Sequence, residues 1–305
     1  MSELHEFIKM KTAQNRPITE STMKKYAGFY KTLSNHLGNI KIGDVPEEEI
    51  ITIIDNLDIS PAGKLNYQNV VTMIRTQQKQ STEKLVKFKN ELTNMKDANT
   101  KHKVVQKLIT LPTYKQVRDY IDELYTEGDY SKYLANELIF RFGLRNTDVN
   151  LIIVNRVQYK EEKKNNLEEY NNQNWLIMSK KSCVLVINRY KTVKKYGTKT
   201  IRITNKNIVD AGNKLGSGWL VQNTKNQHVP DDNVHNYLNL MNYNGIRLRQ
   251  SDYFKIHIQY LQSQPNSLHK INELGKTRGC QDLQTLDKHY NLENGKEEDE
   301  ENQEL

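Results

Sequence analysis

Apolar residues recur at steps of three and four along residues 1–100, the spacing of helices with one buried face. Ile18-Thr19-Glu20-Ser21-Thr22 leads into Met23, Tyr26, Phe29, Tyr30 and Leu33, and Gly38-Asn39 ends that helix. Pro46 followed by Glu47, Glu48 and Glu49 predicts a second start, with acids at the positive end of the helix dipole and an apolar face of Ile50, Ile53, Ile54 and Leu57. Ser60-Pro61 opens a third helix carrying Leu65, Tyr67, Val70, Val71 and Ile74, and a fourth contains Leu85, Phe88 and Leu92. The polar run Thr93 to Lys103 reads as a linker. Helical spacing resumes after Pro112 with Val117, Tyr120, Ile121 and Leu124, then from Tyr133 to Phe142, ending near Gly143.

The period shortens after about residue 150. Gln158 to Gln173 is charge-rich and reads as a surface loop or insertion. Three short β-branched runs follow, at 175–178, 183–187 and 200–204, separated by polar turns; they predict a small antiparallel sheet. Helices return after Pro230, including Val234 to Leu240 and Ser251 to Leu261. The expected fold class is mainly α (α+β). A helical domain over residues 1–100 is joined to a mixed helical domain over 104–292 with a small antiparallel β-sheet, and an acidic tail at 293–305 is expected to be disordered.

Charge sharpens this picture. The formal net charge is +8, but residues 293–305 carry seven acids against Lys296 alone, so the preceding residues carry +14. A basic body with an acidic tail points to a polyanionic partner, nucleic acid before anionic membrane. Cys183 and Cys280 are the only cysteines and do not form a metal knuckle or a Cys-x-x-Cys pair, which fits a reducing compartment. No apolar run approaches the roughly 20 residues that span a bilayer, and Met1 to Lys11 lack a signal-peptide pattern. The expectation is a soluble intracellular protein, in cytoplasm or nucleus.

Four elements carry the chemistry, in order: Phe142-Gly143-Leu144-Arg145-Asn146-Thr147-Asp148 at a helix end; Arg189-Tyr190-Lys191-Thr192 after a strand; Ile246-Arg247-Leu248-Arg249-Gln250-Ser251 opening a helix; and Leu274-Gly275-Lys276, followed by Asp287-Lys288-His289-Tyr290. Their order, spacing and structural context resemble the tyrosine recombinase, or phage integrase, family over most of the chain. The resemblance makes Arg145 the first catalytic arginine, Asp148 its acidic companion, Lys191 the lysine of the β-hairpin, Arg249 the second arginine and Tyr290 the nucleophile. Lys276 falls at the position before the nucleophile, with Arg278 the nearby alternative. The helical domain then resembles a core-binding domain that clamps DNA, and the mixed domain a catalytic one. Two departures stand out: Ile246 occupies the place of the family's histidine, and the spacing from Leu-Gly-Lys to Tyr290 is longer than usual.

The resemblance implies a site-specific DNA recombinase or integrase of a virus or mobile element. It would cut and rejoin double-stranded DNA through a 3′-phosphotyrosyl intermediate, without cofactor or metal. The enzyme would work as a homo-tetramer on DNA and be a monomer or weak oligomer when free, with no membrane partner. The physical logic agrees. Arginines neutralise and fork onto phosphate oxygens, a covalent intermediate stores the energy of the cut bond, and a lysine can protonate the leaving 5′ oxygen. Rival readings are a type IB topoisomerase-like DNA-relaxing enzyme and an inactive DNA-binding protein of the same fold. Residue by residue, plainer roles also exist: Arg145 as a helix-end charge, Asp148 as a cap, Lys191 as a solvated turn lysine with Lys199 its rival, Arg247 in place of Arg249, and Tyr290 as a core tyrosine. His257 and His269 read as surface or core histidines.

Overall fold

The computed structural model describes residues 4–6, 8–9, 18, 20–38, 40–108, 110–279 and 286. The chain separates into two units, Met1–Val104 and Val105–Leu305. The first contains α1 (Glu20–His36), a 3-10 turn at Ile42–Asp44, α2 (Glu47–Asp55), α3 (Pro61–Gln77) and most of α4 (Glu83–Leu108). Ser60 accepts a hydrogen bond from Gly63 N–H and Pro61 sits in the first turn, so α3 starts where the sequence signals it. Glu47 does more than complement the α2 dipole. It is buried, and its carboxylate accepts from Leu85 N–H (2.9 Å), so the start of one helix caps another. The core of this unit includes Leu33, Ile50, Ile54, Val70, Val71, Ile74, Leu85, Phe88 and Leu92. Residues 93–103, expected as a linker, lie inside α4. That run has no glycine or proline, and helix propensity carries it through once tertiary contacts anchor the N-terminal turns.

The second unit runs α5 (Tyr114–Thr126), α6 (Tyr130–Phe142), β1 (Leu151–Asn155), α7 (Arg156–Asn165), α8 (Leu167–Asn171), β2 (Asn174–Met178), β3 (Cys183–Ile187), α9 (Val193–Tyr196), β4 (Lys199–Ile203), α10 (Lys206–Leu215), β5 (Gly218–Trp219), α11 (Val234–Tyr237), β6 (Asn242–Tyr243), β7 (Ile246–Arg247), α12 (Gln250–Gln262) and α13 (Ser267–Arg278). The expected strands are β2, β3 and β4, and they form the expected antiparallel ladder, with Leu185 opposite both Leu176 and Ile201. Two further strands extend it to the order β4-β3-β2-β1-β5. β1 lies parallel to β2, and β5 pairs antiparallel on the far side of β1, so the complete sheet is mixed. The run Leu151–Val154 is continuously apolar, and periodicity alone does not distinguish such a strand from buried helix. The expected helix at Val234–Leu240 is a single turn, because Asn239 takes a left-handed conformation (φ 46°).

Both faces of the sheet are covered. Leu151, Ile153, Leu176, Met178, Leu185 and Ile203 join the main core with residues of α5, α6, α10 and α12. On the other face Val154, Trp175, Ile177 and Val186 pack with Tyr170 and Tyr159. Those two tyrosines come from the segment expected as a loop, which instead forms α7 and α8. Asn155 caps α7 by accepting from Val157 and Gln158 N–H, and Gln158 returns the bond to Asn155 N–H, all at 2.9 Å. Trp175 Nε1 donates to Tyr170 O (3.1 Å), fixing α8 on the sheet.

α6 is the spine of the unit, and its buried polar residues choose its neighbours. Asn136 is fully buried; its Oδ1 accepts from Tyr253 O–H of α12 (2.7 Å), and that hydroxyl in turn accepts from Met241 N–H (3.1 Å). Glu137, also fully buried, is held by Arg118 of α5 and by Arg141 (2.6 Å). His257 of α12 sets Nδ1 2.8 Å from Phe140 O, and burial pushes its imidazole down to about 4. A second buried amide, Asn174, sits where β2 begins. Its Nδ2 donates to Asp148 O (3.1 Å) and Arg189 O (3.0 Å), and its Oδ1 accepts from Arg189 N–H (2.8 Å).

Two stability predictions follow from these groups. Asn174→Leu strands three interior backbone groups; each costs about 1–3 kcal/mol when unsatisfied, so urea unfolding should show a loss of at least about 3 kcal/mol. For His257 the folded imidazole titrates near 4 against about 6.5 when unfolded, so the unfolded state binds more protons between those values. Its contribution is complete above about pH 6.5 and is lost as pH falls toward 4, a difference of roughly 3 kcal/mol. Measured across that window, His257→Phe should flatten the pH dependence of unfolding, and an unchanged slope would exclude this histidine as its source.

Candidate functional site

The sheet topology gathers the sequence-predicted residues at one end. β1 and β2 run parallel and start together, β3 ends there and β4 begins there. The turn before β1, the connection after β3 and the first residue of β4 therefore meet. α6 stops at Gly143, which is left-handed (φ 64°) and packed so closely that a Cβ would lie 2.7 Å from the Phe254 ring. Leu144 then plunges into the core, and Arg145 begins a tight turn. Asp148 closes it: one carboxylate oxygen accepts from Arg145 N–H (2.9 Å), and Asp148 N–H donates to Arg145 O (2.9 Å). Burial raises the Asp148 carboxyl, while the Arg145 N–H bond and the charges of Arg145, Arg278 and Lys199 pull it the other way. Asp148 thus shapes the turn from which Arg145 projects. One guanidinium nitrogen of Arg145, Nη1, is buried and has no hydrogen-bond partner among the described residues.

The connection from β3 to β4 brings Arg189, Tyr190, Lys191, Thr192 and Lys199. Arg189 pairs with Asp231 (2.9 Å). Tyr190 is buried with its hydroxyl donating to Gly197 O (2.8 Å). Lys191 is exposed and makes no hydrogen bond or ion pair among the described residues. Lys199, its rival, is engaged: Nζ donates to Lys276 O (2.6 Å) and Thr277 O (3.0 Å) and lies 4.1 Å from the Tyr190 ring centre.

α12 supplies Arg249 at its N-cap. The start of the helix docks on the Arg145 turn through Gln250, whose side-chain oxygen accepts from Asn146 N–H (2.7 Å). The Arg249 backbone N–H donates to Asp252 (2.9 Å), and its exposed guanidinium has no ion pair among the described residues. Arg247, two residues earlier, is spent on the carbonyl of His235 (3.0 Å). Ile246 is exposed in β7. At the end of α13 the Lys276 ammonium turns to Glu273 (3.0 Å) on the helix surface, which lowers the Glu273 carboxyl through that hydrogen bond. Arg278 is buried; it donates to Gly143 O (2.9 Å) and stacks over Phe254 (4.4 Å). Tyr290, with Asp287, Lys288 and His289, lies outside the described residues, as does Cys280.

The structure therefore brings Arg145, Asp148, Lys199 and Arg278 into one electrostatic cluster, with Arg249 attached through Gln250 and Lys191 through the β3–β4 connection. The Lys276 ammonium is directed elsewhere. Sequence reading passed over Asn174, which binds the backbone of Asp148 to that of Arg189, and the anchoring role of Arg278. Neither carries a local signal; an asparagine before a strand looks like any turn residue. Chemically, the arrangement gathers positive charge around the buried Asp148 carboxyl and leaves one Arg145 nitrogen able to donate. Among the described residues no group of three or more His, Cys, Asp or Glu side chains is placed to hold a metal ion, and no helix is long and apolar enough to cross a membrane.

No protein-family model matches the chain, and no curated protein matches it. Among solved structures, the crystal structure of XerA recombinase is similar over 95% of this chain and 93% of that chain, at 11% sequence identity and a TM-score of 0.34. At that identity and TM-score, the functional reading rests on the side chains themselves.

Proposed function

We propose that this chain is a site-specific DNA recombinase that cuts and rejoins double-stranded DNA through a 3′-phosphotyrosyl intermediate on Tyr290. One observation carries the reading. The Arg145 turn and the Arg249 helix start are joined through Asn146 and Gln250, while among the described residues Arg145 keeps a buried nitrogen without a hydrogen-bond partner and Arg249 has no ion pair. Two arginines on segments tied to one another, neither with its guanidinium in an ion pair among the described residues, suit a phosphate with charge building on its non-bridging oxygens.

In the reaction the Tyr290 oxygen attacks phosphorus, the bond from phosphorus to the 5′ oxygen breaks, and the leaving oxygen takes a proton from Lys191. A free tyrosine titrates near 10, so forming phenolate at pH 7 costs about 4 kcal/mol, which the nearby arginine charges offset in part. Ile246 cannot take the phenolic proton; water or the phosphate itself accepts it. The rejoining step reverses these bonds with the 5′ hydroxyl of another strand as nucleophile, so neither cofactor nor metal enters. The helical unit contributes exposed lysines such as Lys87 and Lys89 to the grip on DNA, and four protomers act on two duplexes. The second reading, a DNA-binding protein of this fold that does not cleave, is favoured by Ile246 and by the Lys276 ammonium facing Glu273.

Binding to duplex DNA should weaken steeply with salt, because each neutralised phosphate releases counterions; a flat filter-binding series would exclude a phosphate-dominated interface. Covalent capture separates the two readings. A pool of nicked duplexes with a randomised centre, denatured in detergent after incubation, should yield a protein–DNA adduct that peptide mass spectrometry places on Tyr290. Tyr290→Phe should bind the captured duplex and form none. Arg145→Ala and Arg249→Ala should bind it and react slower by about 100- to 1000-fold each. An adduct on another tyrosine overturns the assignment, and tight binding without any adduct establishes the non-cleaving reading.

A further inference from the structure

The β3–β4 connection grips the end of α13. Lys276 and Thr277 lie in the last turn of that helix, and Lys199 Nζ donates to both carbonyls, at 2.6 and 3.0 Å; Lys276 O also accepts from Gly279 N–H (3.0 Å), the capping bond that ends the helix. The ammonium also sits at the negative end of the helix dipole and 4.1 Å from the centre of the buried Tyr190 ring. Two residues beyond Thr277, Thr192 Oγ1 donates to Gly279 O (3.3 Å). Gly279 is left-handed (φ 78°), and a Cβ there would fall 2.3 Å from Thr192 Oγ1 and 3.5 Å from Lys199 Nζ. A glycine is thus required where the chain leaves α13, and two side chains from a distant hairpin hold it.

We infer that Lys199, with Thr192 and Gly279, forms a latch that fixes the exit of the chain from α13 and thereby delivers the segment carrying Tyr290. The inference rests on the reading of Tyr290 as nucleophile. Gly279 precedes Tyr290 by eleven positions in the sequence, so the latch holds the point from which the tyrosine-bearing segment starts. Lys199 is a positioning residue. Its donors are taken by two carbonyls and a ring face, whereas Lys191 is exposed and unpaired among the described residues. Lys191 also stands between Tyr190 and Thr192, both of which touch the latch. The proton donor and the start of the nucleophile segment are therefore set by the same stretch of hairpin.

The test uses the full chain with Lys199→Met and Lys199→Arg. In hydrogen exchange without DNA, the amides of 277–279 should exchange at least about tenfold faster in Lys199→Met, the effect of losing charged hydrogen bonds, and recover in Lys199→Arg. Amides of β2 and β3 should not change. On saturating captured duplex, Lys199→Met should form adduct more slowly, and Lys199→Arg should restore the rate. Replacing the leaving 5′ oxygen with sulfur removes the need for a proton, since thiols ionise near 8.5. That substrate should rescue Lys191→Ala and leave Lys199→Met slow. Rescue of Lys199→Met by sulfur would make Lys199 the proton donor and overturn the latch, as would unchanged exchange at 277–279. Absence of adduct from the unsubstituted protein would instead reject the Tyr290 reading, and the exchange result would still decide whether the latch exists.

Discussion

The arrangement depends first on one buried amide. Asn174 offers two donors and an acceptor at the place where β2 begins, and it uses them on the carbonyl of Asp148 and on both backbone groups of Arg189. Main-chain groups inside a protein need partners, and neither segment has a strand beside it at this point to supply them. A carboxamide satisfies both at once and fixes their separation. The parallel pairing of β1 with β2 makes this possible, because it starts both strands at the same end of the sheet, next to where β3 stops. The turn bearing Arg145 and the connection bearing Lys191 are neighbours for that reason.

A second set of buried polar contacts places the helices. Asn136 and Tyr253 pin α12 to α6, Glu137 ties α5 to α6 through Arg118, and Arg278 anchors α13 on the carbonyl of Gly143. Apolar packing alone would tolerate sliding of one helix over another; a hydrogen bond to a fully buried partner does not, because any shift leaves an unsatisfied group. The main core contributes most of the burial, and these few polar contacts choose the register. Gly143 shows how tight that register is, since any Cβ there would lie 2.7 Å from the Phe254 ring.

The same contacts sort the cations. A chain with 45 lysines and arginines has many candidates for binding an anion. The fold employs Arg118, Arg247, Arg278 and Lys199 on carboxylates and carbonyls, and Arg189 on Asp231. Arg145 is left with a buried nitrogen unsatisfied, and Arg249 and Lys191 are left without ion pairs among the described residues. Asp148, despite its closeness to Arg145, binds the backbone of that arginine and so shapes the turn without occupying the guanidinium fork. A buried guanidinium nitrogen without a partner is costly to the free protein, and an anion reaching it would relieve that cost.

Much of this was readable along the chain. The helix starts at Ser60-Pro61 and after Pro112, the stop at Gly143 and the short β-branched runs of β2, β3 and β4 depend on spacings of a few residues, which the sequence displays directly. The Arg145-to-Asp148 turn is local as well, which is why the motif could be recognised at all. α7 and α8 were hidden because two tyrosines anchor an otherwise charged segment, and the anchors only make sense once Trp175 lies beneath them. The choice between Lys191 and Lys199, or between Arg247 and Arg249, could not be read from the sequence. Each pair has the same chemistry and sits within a few positions; what separates them is the carbonyl each meets across 77 residues for Lys199 or 12 for Arg247. Short-range pattern determined which elements this protein forms and which residue types flank them. Only tertiary structure decided which of the cations are consumed in holding it together, because that depends on long-range partners for buried polar groups, and such partners leave no periodic trace in the sequence.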